Sequence, residues 1–459
     1  MVQITLPGLL LCLCLYLPVA PANPLNAHAH ARVSDTTAFP LANEGHVAAH
    51  DPSIIRHDEH FYLFKGGIHI PVFRASNLSG PWKRLGTVLD GPSSVQKQNQ
   101  RRPWAPMVTQ WKNRFYCFYS ISQNGKRNSA IGVASSNSIE PGGWTDHGAL
   151  INTGQGPGSG VYPFNVSNAI DPAFFADPVT GQPYLQYGSY WKGIFQVPLA
   201  EDLLSVENVT RPDTDHLVYL PEKKPKPNEG AFMSYRAPYY YAWFSHGQCC
   251  HFKTQGFPKE GHEYSIRVGR STSVHGPFVD RDSKDLLDGG GSVVYGSNHG
   301  KVYAPGGLGV LPGANDEPDV LYYHYHNASI GFGQGVRNPK LVTQGCHVLL
   351  FYLFFLFSLF SDSRPQDARL GWNYLDYIDG WPVPRAPSNP GNSLQPPSSS
   401  SLQIVAFLCM CCLAIVLALA YKGVMTLGRK TMVPLVAVLL IASALWTLHR
   451  TRTQTYAQL

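Results

Sequence analysis

Three acidic residues stand in settings where an acid is chemically conspicuous. Asp51 lies in Ala48-Ala49-His50-Asp51-Pro52-Ser53-Ile54-Ile55, Asp171 in Asn168-Ala169-Ile170-Asp171-Pro172-Ala173-Phe174-Phe175, and Glu229 in Pro227-Asn228-Glu229-Gly230-Ala231-Phe232. Each is an isolated carboxylate beside Gly or Pro at the entrance to an apolar, strand-like run. Taken singly, an Asp-Pro step reads equally well as an ordinary turn; three in matching contexts point to one shared site. Carboxylates that converge without a nucleophile–base pair suit glycosidic cleavage, in which one acid protonates the leaving oxygen and another carboxylate activates water. A third carboxylate nearby raises the pKa of the acid by like-charge repulsion and keeps its proton in place. Trp104 and Trp191 are candidate stacking platforms for sugar rings, although either one alone could be core.

The elements that must position these residues show as a repeat. An aromatic, strand-like opening is followed by a Ser-containing turn that ends in Gly-Pro-aromatic or a similar triplet. It occurs at Phe61-Tyr62-Leu63-Phe64 with Gly80-Pro81-Trp82, and at Phe115-Tyr116-Cys117-Phe118 with Gly143-Trp144. Further copies open at Pro183-Tyr184-Leu185, at Tyr240-Tyr241-Ala242-Trp243 with Gly276-Pro277-Phe278, and at Leu321-Tyr322-Tyr323. The starts at 61, 115, 183, 240 and 321 lie 54, 68, 57 and 81 residues apart, the length of a four-stranded blade with variable loops. An all-β, five-bladed β-propeller follows, with an irregular β-sandwich as the alternative. Asp51, Asp171 and Glu229 precede the first, third and fourth starts by 10, 12 and 11 residues, so they are expected at equivalent places near the axis.

Composition agrees. Of 459 residues, 14% are charged and 12% aromatic, with 43 Gly and 37 Pro, against roughly 25% charged in an average soluble domain. So aromatic-rich a chain is not intrinsically disordered. The net charge of +6 is scattered without a basic block, which excludes nucleic acid as a partner.

From about His50 to Trp381 the chain resembles the glycoside hydrolase family 43 endo-arabinanases of fungi. The resemblance rests on His50-Asp51-Pro52-Ser53, Trp104-Ala105-Pro106, Asn168-Ala169-Ile170-Asp171-Pro172, Gly188-Ser189-Tyr190-Trp191, Asn228-Glu229-Gly230, the run Tyr239 to Gly247 with Cys249-Cys250, and Leu370-Gly371-Trp372-Asn373. It implies a five-bladed propeller that cleaves α-1,5-linked arabinan of plant cell walls with inversion. It makes Asp51 the general base, Glu229 the general acid, and Asp171 the residue that tunes the acid and orients substrate. It places sugar contacts at Trp104, Asn168, Ser189, Tyr190 and Trp191. Tyr322-Tyr323-His324-Tyr325 resembles the family stretch whose His reaches an axial metal, usually calcium; calcium prefers oxygen ligands, and spacing alone would make His324 a plain strand histidine. Exo-arabinofuranosidase or β-xylosidase activity on the same fold stays open, as does a non-catalytic carbohydrate-binding propeller.

Outside the expected propeller, residues 35–383, the sequence changes character. Residues 1–22 read as a secretory signal ending in Ala20-Pro21-Ala22, although no basic residue precedes the apolar run. Sequons begin at Asn77, Asn165, Asn208 and Asn327. Residues 384–401 read as a Pro/Ser-rich linker, residues 402–448 as hydrophobic membrane-attachment segments, and 449–459 as a polar tail. A secreted, surface-attached monomer is expected. Residues 336–366 interrupt the pattern where the last blade should close; their removal restores the family stretch around Gly371, and their ends, Val-Arg and Gln, suit intron borders, so they read as a retained intron. Cys117, Cys249 and Cys250 remain for the fold, and the sequence leaves their pairing open.

Overall fold

The computed structural model describes residues 39–222, 227–298, 301–314, 317–330 and 368–387. Residues 1–22, 336–366, 402–448 and 449–459, to which a signal, an insert, membrane attachment and a tail were assigned above, lie outside the described residues. Among the described residues no helix is long and apolar enough to cross a membrane.

After β1 (Asn43–Ala48), the chain builds antiparallel sheets one after another. The first is β2 (Ser53–His57), β3 (His60–Phe64), β4 (Pro71–Ala75) and β5 (Lys83–Thr87). The second is β6 (Trp104–Trp111), β7 (Arg114–Ile121), β8 (Ala130–Ser136) and β9 (Thr145–Asn152). The third is β10 (Ala173–Ala176), β11 (Pro183–Tyr187), β12 (Ile194–Pro198) and β13 (Asp215–Val218). The fourth is β14 (Asn228–Arg236), β15 (Tyr239–His246), β16 (Ser265–Ser271) and β17 (Ser292–Tyr295). The fifth contains β18 (Val302–Leu311), β19 (Val320–Asn327) and β20 (Arg369–Ile378), with β1 as its outer strand and β21 (Trp381–Pro384) also paired to β20. The leading strands β2, β6, β10, β14 and β18 touch in a closed ring, β18 meeting β2. This is the five-bladed propeller.

Each repeat start found in the sequence falls on the second strand of its blade: β3, β7, β11, β15 and β19. Those strands are mostly apolar and largely buried because both faces are covered, and successive side chains point to opposite blades. In β7, Phe115, Cys117 and Tyr119 join Phe64 and Val72 of the first blade, whereas Tyr116 and Phe118 join Leu185 and Phe195 of the third. In β15, Tyr240, Ala242 and Phe244 pack on the third blade, and Tyr241 and Trp243 on the fifth. A fifth cluster, Ile54, Leu63 and Phe73 with Val320, Tyr322 and Leu370, closes the circle.

The circle is fastened by strand exchange. β1 comes from the start of the described chain yet completes the last blade, with Asn43 opposite Trp372 and Glu44 opposite Gly371. The buried Asn373 side chain donates to Leu41 O and Arg385 O, each at 2.9 Å, and accepts from Tyr323 Oη at 2.6 Å. Tyr325 pairs with Arg369 across β19 and β20, so the chain leaves and re-enters this sheet at adjacent positions, which a hairpin-length connection could join.

Candidate active site

A shared backbone device brings the site residues to the axis. Where the inner strand of each blade reaches the axis, a residue adopts a left-handed conformation: Asp51 (φ 45°), Ala105 (40°), Asp171 (56°), Gly230 (61°) and Gly307 (55°). With the residues that follow them, these line an axial cavity of about 40 Å³, room for about one water. Left-handed φ costs a side-chain-bearing residue about 1 kcal/mol or more, and the cost here turns the inner strand abruptly toward the axis. The equivalence expected from the sequence is thereby refined: Asp51 and Asp171 share one register, while Glu229 stands one residue earlier, matching His50, Trp104 and Ile170.

The three carboxylates meet on the floor of a cleft of about 1220 Å³ that is also lined by Trp104, Asn168, Ser189, Tyr190 and Trp191. The structure thus gathers all the candidate substrate-contacting residues with the acids. Ser189 Oγ donates to Glu229 Oε2 at 2.7 Å and Tyr264 Oη to Glu229 Oε1 at 3.1 Å. Asp171 Oδ2 accepts the N–H of Gly230, next in chain to Glu229, at 3.1 Å. Its own N–H donates to Ser120 Oγ at 3.0 Å. Asn168 is buried and its Oδ1 accepts from Ser129 Oγ at 2.8 Å. Tyr190 and Trp191 both hold positive φ on the tight turn after Gly188, anchored by Tyr190 N–H to Asn228 O at 2.9 Å. The Trp191 ring remains 38% exposed, and Trp104 is half-buried.

Asp51 has a different setting. Its Oδ2 lies 3.0 Å from His50 Nδ1, its Oδ1 3.3 Å from His324 Nδ1, and its N–H 3.1 Å from the same nitrogen. Gly307 is required at this point, since a Cβ there would stand 2.3 Å from Asp51 Oδ1 and 2.5 Å from His324 Nδ1. His324 is fully buried, stacked on His50 and Tyr264, and its Nε2 has no hydrogen-bond partner among the described residues.

These surroundings set the protons apart. Burial by itself would raise the Asp51 pKa, but the charge of His50 and hydrogen bonds from His324 and His50 outweigh it and hold the carboxyl below the usual range. Glu229 is raised, first by burial and further by the charge of Asp51, with Ser189 and Tyr264 partly offsetting this. Asp171 is pushed well above its usual value by burial, then by the charges of Glu229 and Asp51. The surroundings therefore favour the ionised form at Asp51 and the protonated form at Glu229 and Asp171, the direction of bias that acid–base hydrolysis needs. The charge acting most directly on Glu229 comes from Asp51. Asp171, for its part, is raised by the charge of Glu229 and then by that of Asp51.

Two contributors had no legible signal in the sequence. Tyr264 comes from β16's approach and reaches Glu229 across 35 residues of chain; no motif surrounds it. His50 stood within a quoted motif but acquires a role only through contact with Asp51. Cys249 and Cys250 are bonded to each other, and Cys117 is a buried free thiol.

Comparison with known proteins agrees with this geometry. The family described as Glycosyl hydrolases family 43 matches residues 45–348. The chain is 85% identical over 410 residues to "Probable arabinan endo-1,5-alpha-L-arabinosidase D" of Emericella nidulans, covering 89% of this chain and 98% of that protein. Among solved structures, the Cellvibrio cellulosa alpha-L-arabinanase complexed with arabinohexaose superimposes with a TM-score of 0.58 at 24% identity, over 75% of this chain and 96% of the other. The GH43 endo-arabinanase of Bacillus licheniformis gives a TM-score of 0.56 at 25% identity, over 75% and 99%.

Proposed function

The chain belongs to glycosyl hydrolase family 43, and from that premise we propose that it cleaves α-1,5-L-arabinofuranosidic linkages inside arabinan chains with inversion of configuration. The observation that carries this reading is the opposed proton preference of Asp51 and Glu229 on the floor of one cleft. The cleft volume exceeds the roughly 300–1,000 Å³ of a pocket for one small ligand, which favours a bound chain of sugars over a single terminal residue.

In the reaction, Asp51 takes a proton from a water as its oxygen attacks the anomeric carbon. Glu229 gives its proton to the glycosidic oxygen as that bond breaks on the opposite side, so the anomeric configuration inverts. The cycle leaves Asp51 protonated and Glu229 ionised, and exchange with solvent restores both. Asp171 positions the Gly230 peptide beside the acid, and its coupling to Glu229 tunes the acid's pKa. Ser189 holds Glu229, Trp104 and Trp191 offer ring faces to sugars, and Asn168 and Tyr190 border the same floor.

The proposal includes an axial calcium whose protein ligand is His324. Its buried Nε2 lacks a hydrogen-bond partner among the described residues, and water would supply the oxygen shell that calcium prefers. Ligation through Nε2 requires the proton on Nδ1, where it would face Asp51 Oδ1 at 3.3 Å and displace the hydrogen bond that Nδ1 otherwise accepts from the Asp51 N–H. When bound, the ion would add positive charge near Asp51 and favour its ionised form. We also infer a secreted monomer attached to a surface through the C-terminal segments; the Cys249–Cys250 bond suits an oxidising compartment.

Assay on debranched arabinan tests the function. Wild type should release oligosaccharides of mixed length, whereas Asp51→Ala and Glu229→Ala should lose activity by ~10³-fold or more while still binding polymer. Release of arabinose alone would establish exo action, and full turnover by both variants would refute the site.

A further inference from the structure

The segment joining β15 to β16 begins Gly247-Gln248-Cys249-Cys250-His251, and its two cysteines form the one disulfide among the described residues. Both cysteines line the cleft, together with Gln248, His251 and Gln255. The segment is firmly held. Gln248 N–H donates to His262 O and Tyr264 N–H to Gln248 O, each at 3.0 Å, while Gln248 Nε2 donates to Cys250 O at 3.1 Å and Gly256 O at 3.0 Å. His326 Nε2 lies 3.1 Å from Cys249 O.

What this linked pair touches is informative. On one side Cys249 packs against a cluster of Phe252, Tyr264, Tyr303 and Ala304, and Tyr264 is the residue bonded to Glu229. On the other, both sulfurs lie within 4.8 Å of a ring nitrogen of His50, whose Nδ1 is 3.0 Å from Asp51. The pair therefore stands in the cleft wall between the partner of the base and the partner of the acid. A bond between sequence neighbours closes a small ring with little freedom to lose, and its sulfurs form a polarizable, donor-free surface. Such a surface complements the C–H face of a furanose, which offers no hydrogen bond. An oxygen-bearing wall in the same place would instead have to be desolvated.

We propose that the Cys249–Cys250 disulfide is a sugar-contacting wall of the cleft, packing against the arabinofuranosyl unit beside Asp51 and so helping to determine specificity. This rests on the arabinan-cleaving reading above. Reduction opens the wall: dithiothreitol is oxidised to its cyclic disulfide as the pair takes up two electrons and two protons, leaving two mobile thiols.

The experiment compares oxidised wild type, dithiothreitol-reduced wild type and the Cys249→Ser/Cys250→Ser variant on linear arabino-oligosaccharides, with thermal melting followed in parallel. KM should rise about tenfold in both altered forms while kcat changes by less than about threefold, the signature of lost binding shared by ground and transition states. Dithiothreitol should not change the double variant. In a second measurement, made in a Glu229→Gln background so that sugar is not consumed, arabinohexaose should slow alkylation of the reduced Cys249 and Cys250 by iodoacetamide. A disulfide that only braced the loop would lower the melting temperature without the KM rise and without sugar protection, and that result would overturn the proposal. Should the double variant fail to fold, reduced wild type and the alkylation measurement decide alone. An unchanged KM with active wild type defeats this inference only; wild type inactive on arabinan defeats the parent reading and this one with it.

Discussion

At the residue scale, three neighbouring carboxyls are biased unequally, Asp51 toward the ionised form and Glu229 and Asp171 toward the protonated form. The proposed mechanism requires Asp51 ionised and Glu229 protonated. Since the Asp51 pKa is lowered and that of Glu229 raised, kcat/KM should be bell-shaped: the acidic limb, where Asp51 gains its proton, is shifted down from the ordinary Asp value, and the alkaline limb, where Glu229 loses its proton, is shifted up from the ordinary Glu value. The Tyr264 hydrogen bond lowers the Glu229 pKa. Tyr264→Phe should therefore move the alkaline limb to higher pH while the acidic limb stays, as read from pH–rate profiles. Asp171 carries a cost. Its folded pKa lies above its unfolded value, so folding favours the protonated form, and stability falls as pH rises from the unfolded pKa through the folded one. Asp171→Asn keeps an acceptor for Gly230 N–H and removes that penalty. The variant should melt roughly 1–3 °C higher at neutral pH while losing most of its activity, measured by calorimetry and by arabinan hydrolysis.

At the scale of elements, the inner strands aim the chemistry and the second strands hold the blades together. This division explains what was legible. The continuous apolar runs of β3, β7, β11, β15 and β19 announced five blades because both faces of those strands are covered. Inner strands carry mixed residues: in Ser53-Ile54-Ile55-Arg56-His57, Ser53 lines the axial cavity and Arg56 reaches Glu317 at the exposed outer end. The contexts of Asp51, Asp171 and Glu229 lie at the axial end, but offsets of 10, 12 and 11 residues could not resolve a shift of one position. Backbone conformation resolves it, since the left-handed residue is Asp51 or Asp171 in two blades and Gly230, after Glu229, in another. Tyr264 carried no motif, and Cys249-Cys250, though part of the resemblance, left its pairing open, because the contacts of both with the site arise only in the folded chain. Gly307 gives a test at this scale. Gly307→Ala should leave the fold nearly intact yet reduce kcat by ~10²-fold or more, because its methyl group must displace Asp51 or His324. A folded variant with wild-type kcat would show that the base tolerates displacement.

At the scale of the whole molecule, low charge and ring closure are two aspects of one architecture. Each sheet is covered on both faces, so there is little place for charge between blades, and the carboxylates are gathered where the inner strands meet. Closure depends on β1 pairing with β20, a contact between distant parts of the chain that sequence periodicity could not reveal. Asn373 ties β20 to Leu41, Tyr323 and Arg385; Asn373→Ala leaves buried partners unpaired and should cost roughly 2–3 kcal/mol in chemical denaturation, with kcat of the folded fraction unchanged. The central claim, inverting hydrolysis by Asp51 and Glu229, is tested most directly by following the hydrolysis of linear arabinan with proton NMR from the first turnovers. The β-anomer of the newly formed reducing end should appear first and then mutarotate; initial release of the α-anomer would contradict the mechanism.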